Sequence, residues 1–449
     1  MASERCHETS VVIRHRERIK ATGTSLQEHR MPLSNLDFLL PPVDVGVFFV
    51  YRNREHQLRS SSKFDTLKTS LSEALATYYP LAGVITENLR GEPELLCNNS
   101  GVDFLEAYFE RGIAELDLYN PEECLEGKLV PRKDEGVFCI QATELKCGGL
   151  VIACVFDHRI ADAYSINMFL LGWSQLACSK PISIIPCFYC FPHQLHYASL
   201  CNSSITNLYV PASSLSLSNN CSLTSRIYHV SLEHINRLQI LSKATTKLQA
   251  FSAFLWQTIA KGMKCNPENF CKMAIVVDGR SRLNHDMSTY FGNLLGVVFR
   301  KHTAKDLSSM KLSEVVGIVE EMIKEGTKEE HFLELDNMIG KQSIKGVRSR
   351  IYSEEESDGA AFIVSSGRKF PMSEVDFGWG QPNFGSYHFG WGGKVGHIMP
   401  IPSTSCEEEW VVCARLMEWQ VVALETYGEG IFRSLTSGHL MLFSDSAEE

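Results

Sequence analysis

The sequence lacks the features of a membrane protein, a secreted protein or a nucleic-acid-binding protein. No stretch approaches the run of about 20 apolar residues that spans a membrane. The amino terminus, MASERCHETSVVIRHRERIK, is too polar for a secretory signal. Basic residues are not in excess, since 43 Lys and Arg against 53 Asp and Glu give a net charge of -10. We therefore expect a cytoplasmic protein that binds neither membrane nor nucleic acid.

Motifs for a metal site, an activated serine and a nucleotide triphosphate are also missing. Cys187 and Cys190 form one CxxC, but no second pair lies at metal-ligand spacing, so we expect no metal site. The 15 cysteines are scattered through apolar segments and are expected to be small core residues. There is neither a G-x-S-x-G motif nor a Walker-type glycine loop, which argues against a serine hydrolase and a nucleoside triphosphatase.

The length and the order of predicted elements favour two domains. A chain of 449 residues exceeds one ordinary domain, and predicted strands and helices interleave throughout, which indicates an α/β or α+β fold. Residues 180–223 are rich in Ser, Asn, Pro and Cys without periodicity, as in a crossover segment. We expect a first domain over residues 1–185, a crossover over 186–222 and a second domain over 223–449.

Local patterns predict several individual elements. Apolar residues recur every four positions from Leu67 to Leu75, which predicts a helix, with Asp65 as its N-cap. Residues 136–143 and 149–156 are rich in β-formers and separated by a short glycine loop, so an antiparallel pair is expected. Thr245 or Thr246 is expected to cap a later helix.

The segment VIACVFDHRIADAYSINMFLL, residues 151–171, holds the first candidate for chemistry. Its apolar beginning predicts a buried strand that ends near His158, and a helical stripe follows. The sheet would hold His158 while its imidazole faces a cavity, and a pKa near 6.5 suits imidazole for accepting a proton. Asp162, about one helical turn further on, could orient the imidazole or pair with a cation elsewhere.

A second motif, DFGWG at residues 376–380, predicts a tight loop. Glycines at Gly378 and Gly380 allow backbone conformations that other residues avoid, while the rings between them pack. This is a structural device rather than a reactive one.

Taken together, the two motifs resemble those of the plant BAHD acyltransferases. Further matches lie in the same order along essentially the whole chain, namely YPLAG at 79–83, SAFLW at 252–256, DGR at 278–280 and YFGN at 290–293. The resemblance implies two domains of chloramphenicol-acetyltransferase-like fold with a channel between them. It also implies a monomer that uses acyl-CoA as a co-substrate, with an alcohol or amine acceptor and no bound cofactor.

The resemblance assigns roles to residues of this chain. His158 would be the general base, and Asp162 would point away from the channel and pair with Arg280. Asp376 would hold the loop that contains Gly378, Trp379 and Gly380, and it also remains a candidate for a second acid or base.

Departures from the family pattern concern the acceptor. Ala163 replaces the usual glycine after Asp162, which should slightly stiffen the turn. Ser365, Ser366 and Gly367 stand where relatives that use shikimate or quinate carry Thr-Ser-Trp, so an opened acceptor pocket is expected. Ser365 and Ser366 are candidates for binding the acceptor or the oxyanion. Ser252 is a further candidate for binding substrate.

Three functions stay open. The sequences of residues 33–49 and 156–170 are similar to those of the subgroup that acylates coniferyl alcohol. A coumarin-synthase type of reaction, in which an ortho-hydroxycinnamoyl thioester isomerises and lactonises, would use the same base. The third is a partner protein without catalytic activity. It is disfavoured because the expected base, His158, and the expected pair of Asp162 and Arg280 are all present.

Overall fold

The computed structural model describes residues 10–23, 27–53, 60–188, 203–214, 222–341, 346–355, 357–390, 392–404, 406, 408–436 and 438–439. The strands within these ranges are β1 Val12–Ile19, β2 His29–Pro32, β3 Asp44–Tyr51, β4 Val84–Glu87, β5 Pro93–Cys97, β6 Val102–Phe109, β7 Phe138–Leu145, β8 Leu150–Asp157, β9 Tyr209–Pro211, β10 Thr224–Val230, β11 Phe270–Asp278, β12 Leu295–Thr303, β13 Val347–Ser349, β14 Asp358–Val364, β15 Phe384–Phe389, β16 Val395–Pro402, β17 Trp410–Leu416 and β18 Arg433–Ser434. The helices are α1 Ser60–Thr77, α2 Ala163–Ala177, α3 Ser203–Leu208, α4 Leu232–Ser242, α5 Lys247–Gly262, α6 Ala304–Ser309, α7 Leu312–Gly326, α8 Glu329–Gly340 and α9 Glu418–Tyr427.

The first large sheet has the strand order β1-β6-β7-β8-β3-β15. The predicted antiparallel pair is confirmed by β7 and β8, in which Cys139 lies opposite Val155. Every residue of β8 is buried, so its apolar run fits a central strand covered on both faces. Helices α1 and α2 pack together beside this sheet, where the indole of Trp173 donates a hydrogen bond to the carbonyl of Leu67.

The second large sheet has the order β12-β11-β14-β16-β17-β10-β18. Strand β14 is parallel to both β11 and β16, and the other neighbours are antiparallel. Helix α5 contacts α4, α6, α7 and α9 and is buried along most of its length. Its cap is Thr246, whose hydroxyl accepts a hydrogen bond from the amide of Gln249, as the sequence predicts.

Strand β15 joins the two halves of the chain. It comes from residues 384–389, yet it pairs with β3 of the first sheet, with Tyr387 opposite Val47. Residues 223–449, the predicted second domain, therefore contribute one strand to the sheet of the first half. Sequence patterns did not reveal this strand, because its pairing partner lies more than 300 residues away.

One predicted cap is wrong. Helix α1 begins at Ser60, so Asp65 lies inside the helix rather than at its N-cap. Residues 60–64 contain neither Gly nor Pro, and buried Phe64 extends the apolar stripe of Leu67 and Leu71 toward the amino terminus.

Much of the predicted crossover lies outside the described residues, and so does Cys190. No helix among the described residues combines the length and the apolar character needed to cross a membrane.

Candidate active site

His158 directly follows β8, as the sequence predicts, and its side chain is half-buried in a cavity between the two large sheets. Its amide donates a hydrogen bond of 2.9 Å to the carbonyl of Val43, beside strand β3. Burial lowers the pKa of the imidazole below its ordinary value, although the nearby Asp162 and Asp157 act in the opposite direction. The imidazole is therefore neutral at physiological pH and able to accept a proton.

Asp162 and Arg280 form a buried ion pair next to this turn. Arg280 Nη1 lies 2.7 Å from Asp162 Oδ2, and Nη2 lies 3.0 Å from Oδ1, so the pair is bidentate. The side chains of Asp162 and Arg280 are 1% and 2% exposed, respectively. Burial alone would raise the pKa of Asp162, but the charge and hydrogen bonds of Arg280 hold it below its ordinary value. The geometry confirms the predicted contact between these residues.

The same pair organises the surrounding backbone. Asp162 is the N-cap of α2, since its Oδ1 accepts a hydrogen bond from the amide of Ser165. Arg280 also donates to the carbonyls of Tyr290 and Gly292. These contacts join the turn after His158 to the loop between β11 and β12.

A second link, which the sequence interpretation missed, runs from Asp37 through Asn293 to His158. Asp37 Oδ1 accepts hydrogen bonds from the amide and the side chain of Asn293, and its Oδ2 accepts two from Ser34. Asn293 Nδ2 also lies 2.8 Å from the carbonyl oxygen of His158. Burial raises the pKa of Asp37 to about 6, although these hydrogen bonds oppose the change. Ser34 and Asp37 form a recognisable capping box, but the partner, Asn293, is not predictable from that pattern.

The cavity has a volume of about 900 Å³. Residues of both halves line it, and apolar side chains predominate among them, including Leu39, Leu40, Val43, Val45, Phe156, Val276, Val297, Ile363, Phe389 and Met399. His158, Ser365 and Ser366 line this space, and so do Asp162 and Arg280, so the structure brings together five of the candidates. A volume of this size is within the range that encloses a small organic molecule.

Gly367 lines the cavity as well. The absence of a side chain at this position does not leave an open space in the cavity wall. A Cβ atom at this position would overlap Cγ2 of Ile401 and lie 2.9 Å from the carbonyl oxygen of Pro400. Strand β16 therefore occupies the space into which residue 367 would point. The expectation that loss of a tryptophan simply opens the pocket is corrected accordingly.

Two candidates lie away from the cavity. Ser252 is fully buried within α5 and does not line the cavity, so its assignment as a substrate-binding residue is corrected. Its burial follows from the position of α5, in which every residue from Ala250 to Ala260 is buried.

Asp376 holds the DFGWG loop, and it does not line the cavity either. Its Oδ1 accepts hydrogen bonds of 2.8 Å from the amides of Gly378 and Gly380, whose φ values are 102° and 97°. Phe377 packs against Trp173 with ring centroids 4.6 Å apart, and Trp379 is nearly buried. These contacts explain the glycines and support the structural role over the chemical one.

The cavity contains a second imidazole, that of His397 on β16, which the sequence interpretation also missed. The available signal was a histidine inside the apolar strand segment KVGHIMP. Among the described residues, no cluster of three His, Cys, Asp or Glu side chains could hold a metal ion.

Two sheets that enclose a cavity, with a histidine at a strand end facing it, define the architecture of a two-domain acyltransferase. The structure superimposes on that of vinorine synthase with a TM-score of 0.73 and 21% identity, over 95% of this chain and 100% of that chain. The fold is therefore chloramphenicol-acetyltransferase-like. Residues 9–430 match the model of the Transferase family, so the chain belongs to this family, that of the BAHD acyltransferases.

Two curated relatives agree with this membership. The chain is 27% identical over 391 residues to anthranilate N-benzoyltransferase protein 1 of Dianthus caryophyllus, which covers 78% of this chain and 85% of that protein. It is 25% identical over 368 residues to fatty alcohol:caffeoyl-CoA acyltransferase of Arabidopsis thaliana, which covers 78% of this chain and 82% of that protein. The protein is an acyl-CoA-dependent acyltransferase.

Replacement of Asp162 by Asn should strongly destabilise the protein. The variant would leave the buried guanidinium of Arg280 without its counter-charge, which costs about 3–5 kcal/mol. We expect a clear fall in the midpoint of urea unfolding, followed by tryptophan fluorescence. Glu268→Gln is the matched control, because it breaks an exposed ion pair with Lys305 and should leave the midpoint unchanged. Equal midpoints for wild type and Asp162→Asn would contradict the role of the pair.

Replacement of Asn293 by Ala should slow turnover because it releases the carbonyl of His158 and leaves Asp37 without two of its donors. We expect a fall in kcat of about tenfold, equivalent to about 1.4 kcal/mol in the barrier, measured by thiol release from an acyl-CoA. Asn284→Ala is the control, since Asn284 lies in the same loop but is exposed, and its amide donates a hydrogen bond to Glu329. A variant with wild-type kcat would show that this link does not position His158.

Proposed function

We propose that the enzyme transfers an acyl group from a CoA thioester to the hydroxyl of a phenylpropanoid-type alcohol such as coniferyl alcohol, with His158 as the general base. The observation that carries the proposal is the position of His158 at the end of β8, where its imidazole faces a largely apolar cavity and burial lowers its pKa. A hydroxyl group is a poor nucleophile until a base within hydrogen-bond reach removes its proton.

The proposed reaction needs one base and no acyl-enzyme. His158 accepts the proton of the acceptor hydroxyl while its oxygen attacks the thioester carbonyl, and a tetrahedral oxyanion forms. The oxyanion collapses, the carbon–sulfur bond breaks, and the thiolate of CoA takes up the proton from the imidazolium. Asp162 is unsuited to act as the base, because Arg280 binds both of its oxygens and lowers its pKa.

The choice of an alcohol acceptor and an aromatic substrate rests on two supports. The cavity wall is mostly apolar, which suits the ring of a phenylpropanoid, and its serines can bind hydroxyl groups. The Arabidopsis relative is named for a caffeoyl-CoA donor and a fatty alcohol acceptor.

The deciding assay is the release of CoA thiol in two parallel reactions. The first combines acetyl-CoA with coniferyl alcohol, and the second offers feruloyl-CoA or 6-hydroxyferuloyl-CoA without an acceptor. Release that depends on coniferyl alcohol supports the proposal. Acceptor-free release with a fluorescent coumarin product, above the non-enzymatic rate, would replace it with lactone formation, and no release in either reaction would refute both.

Replacement of His158 by Ala should abolish transfer while the protein stays folded. Base assistance contributes about 10² to 10⁴ in rate, so we expect kcat to fall by at least that range. The thermal midpoint should stay near that of the wild type, because the side chain is half-buried and lines a cavity. His285→Ala, at an exposed position outside the cavity, should leave kcat unchanged. Near-wild-type turnover by the His158→Ala variant would overturn the mechanism.

The pH dependence of kcat/KM should reflect the lowered pKa of His158. The base acts in its neutral form, so activity is lost as pH falls through the folded pKa and is constant above it. Because burial moves this pKa down, the plateau should extend below pH 6.5. Asp37 titrates near pH 6 in the same region, and Asp37→Asn should leave the midpoint in place if His158 is the responsible group. A midpoint above pH 7 would contradict the neutral base.

A further inference from the structure

His397 and Ser365 form a hydrogen-bonded pair in the wall of the cavity. Ser365 directly follows β14, His397 lies on β16, and these two strands are parallel neighbours with Ile363 beside His397. The amide of Ser365 donates to the carbonyl of Ile398, and Ser365 Oγ lies 2.6 Å from His397 Nε2. Both side chains line the cavity and are only 7% and 8% exposed. The strand pairing therefore fixes this contact.

The imidazole of His397 is neutral and tightly held. Burial, together with the charge that His158 carries when it is protonated, lowers the pKa of His397 to about 3. The ring of Phe389 packs against this imidazole with centroids 4.2 Å apart at 76°, which restricts its rotation. A neutral imidazole has one N–H donor and one acceptor nitrogen, so it can orient a hydroxyl without adding a charge to the cavity.

We propose that His397 is a positioning residue for acyl transfer: its Nε2–H donates to Ser365 Oγ and so directs the hydroxyl hydrogen of Ser365 to the developing oxyanion. This inference rests on the proposed function. A hydroxyl that accepts a hydrogen bond is a stronger donor, because neighbouring hydrogen bonds polarise one another. A donor aimed at the charge that forms in the transition state accelerates the reaction more than it tightens substrate binding.

A neutral partner is suited to this place. When His158 takes up a proton, a second positive charge on His397 would repel the imidazolium. In agreement, the charge of His158 lowers the pKa of His397. The low pKa also makes His397 a poor base for Ser365, so Ser365 is assigned as a donor and not as a nucleophile. No acyl-serine intermediate is therefore expected.

A double-mutant cycle tests whether His397 acts through Ser365. We expect Ser365→Ala and His397→Phe each to lower kcat by roughly 10- to 100-fold, with KM within about threefold of the wild type. The double variant should be no more than about threefold slower than the slower single variant, because both substitutions remove the same hydrogen bond to the oxyanion. His397→Gln keeps an N–H donor and should recover much of the activity lost in His397→Phe.

His331 provides the matched control. It is also buried, burial lowers its pKa to about 4, and its Nε2 lies 3.2 Å from the hydroxyl of Tyr209, but it does not line the cavity. His331→Phe should lower the thermal midpoint without changing kcat. Losses that multiply in the double variant, or full activity in His397→Phe, would overturn the inference.

A second measurement keeps the inference separate from the proposed function. In protein labelled with ¹⁵N-histidine, Nε2 of His397 should show the shift of a protonated nitrogen, and Ser365→Ala should move that resonance. An unprotonated Nε2 would overturn the inference whether or not thiol release is seen. Absence of thiol release from the wild-type enzyme with every donor would instead refute the proposed function. The NMR result would then still show whether Nε2 of His397 donates a hydrogen bond to Ser365.

Discussion

The buried ion pair of Asp162 and Arg280 is the interaction on which the site depends. It connects positions 118 residues apart, one beside β8 of the first sheet and one after β11 of the second. Each charge would cost several kcal/mol if buried alone, so the two segments are stable only when they meet. Because the contact is bidentate, it also fixes their relative orientation. The geometry of the cavity between the sheets therefore depends on this pair.

His158 is held from several directions by this arrangement. Its amide is bound by Val43, its carbonyl is bound by Asn293, and the turn that follows ends at the N-cap Asp162. With the backbone fixed, the imidazole would need little reorganisation in its proposed role as the base. The neutral state of the imidazole follows from the same burial that holds its backbone.

Local patterns in the sequence were sufficient for the parts of the fold that depend on neighbouring residues. The end of β8 before His158 and the Thr246 cap follow from apolar runs and capping chemistry, and the Asp162–Arg280 contact followed from the family resemblance. Strand β15 and the Asn293–Asp37 contact could not be predicted, because they join residues more than 250 positions apart. Ser252 shows the converse error, since a motif residue was assigned to substrate although it lies in a helix that is buried on all sides at this point.

The cavity wall near Gly367 shows the limit of a motif comparison. The comparison detects that a side chain is missing, but it does not show which other residues fill the space. The chain at Gly367 lies so close to β16 that Ile401 and the carbonyl of Pro400 occupy the space of a Cβ atom. The same close approach of β14 and β16 brings Ser365 within hydrogen-bond distance of His397. The absence of a bulky residue at 367 and the presence of the Ser–His pair are therefore consequences of one strand contact. A substitution at Gly367 would change the polarity of this wall as well as its shape, because it would push β16 and His397 away from Ser365.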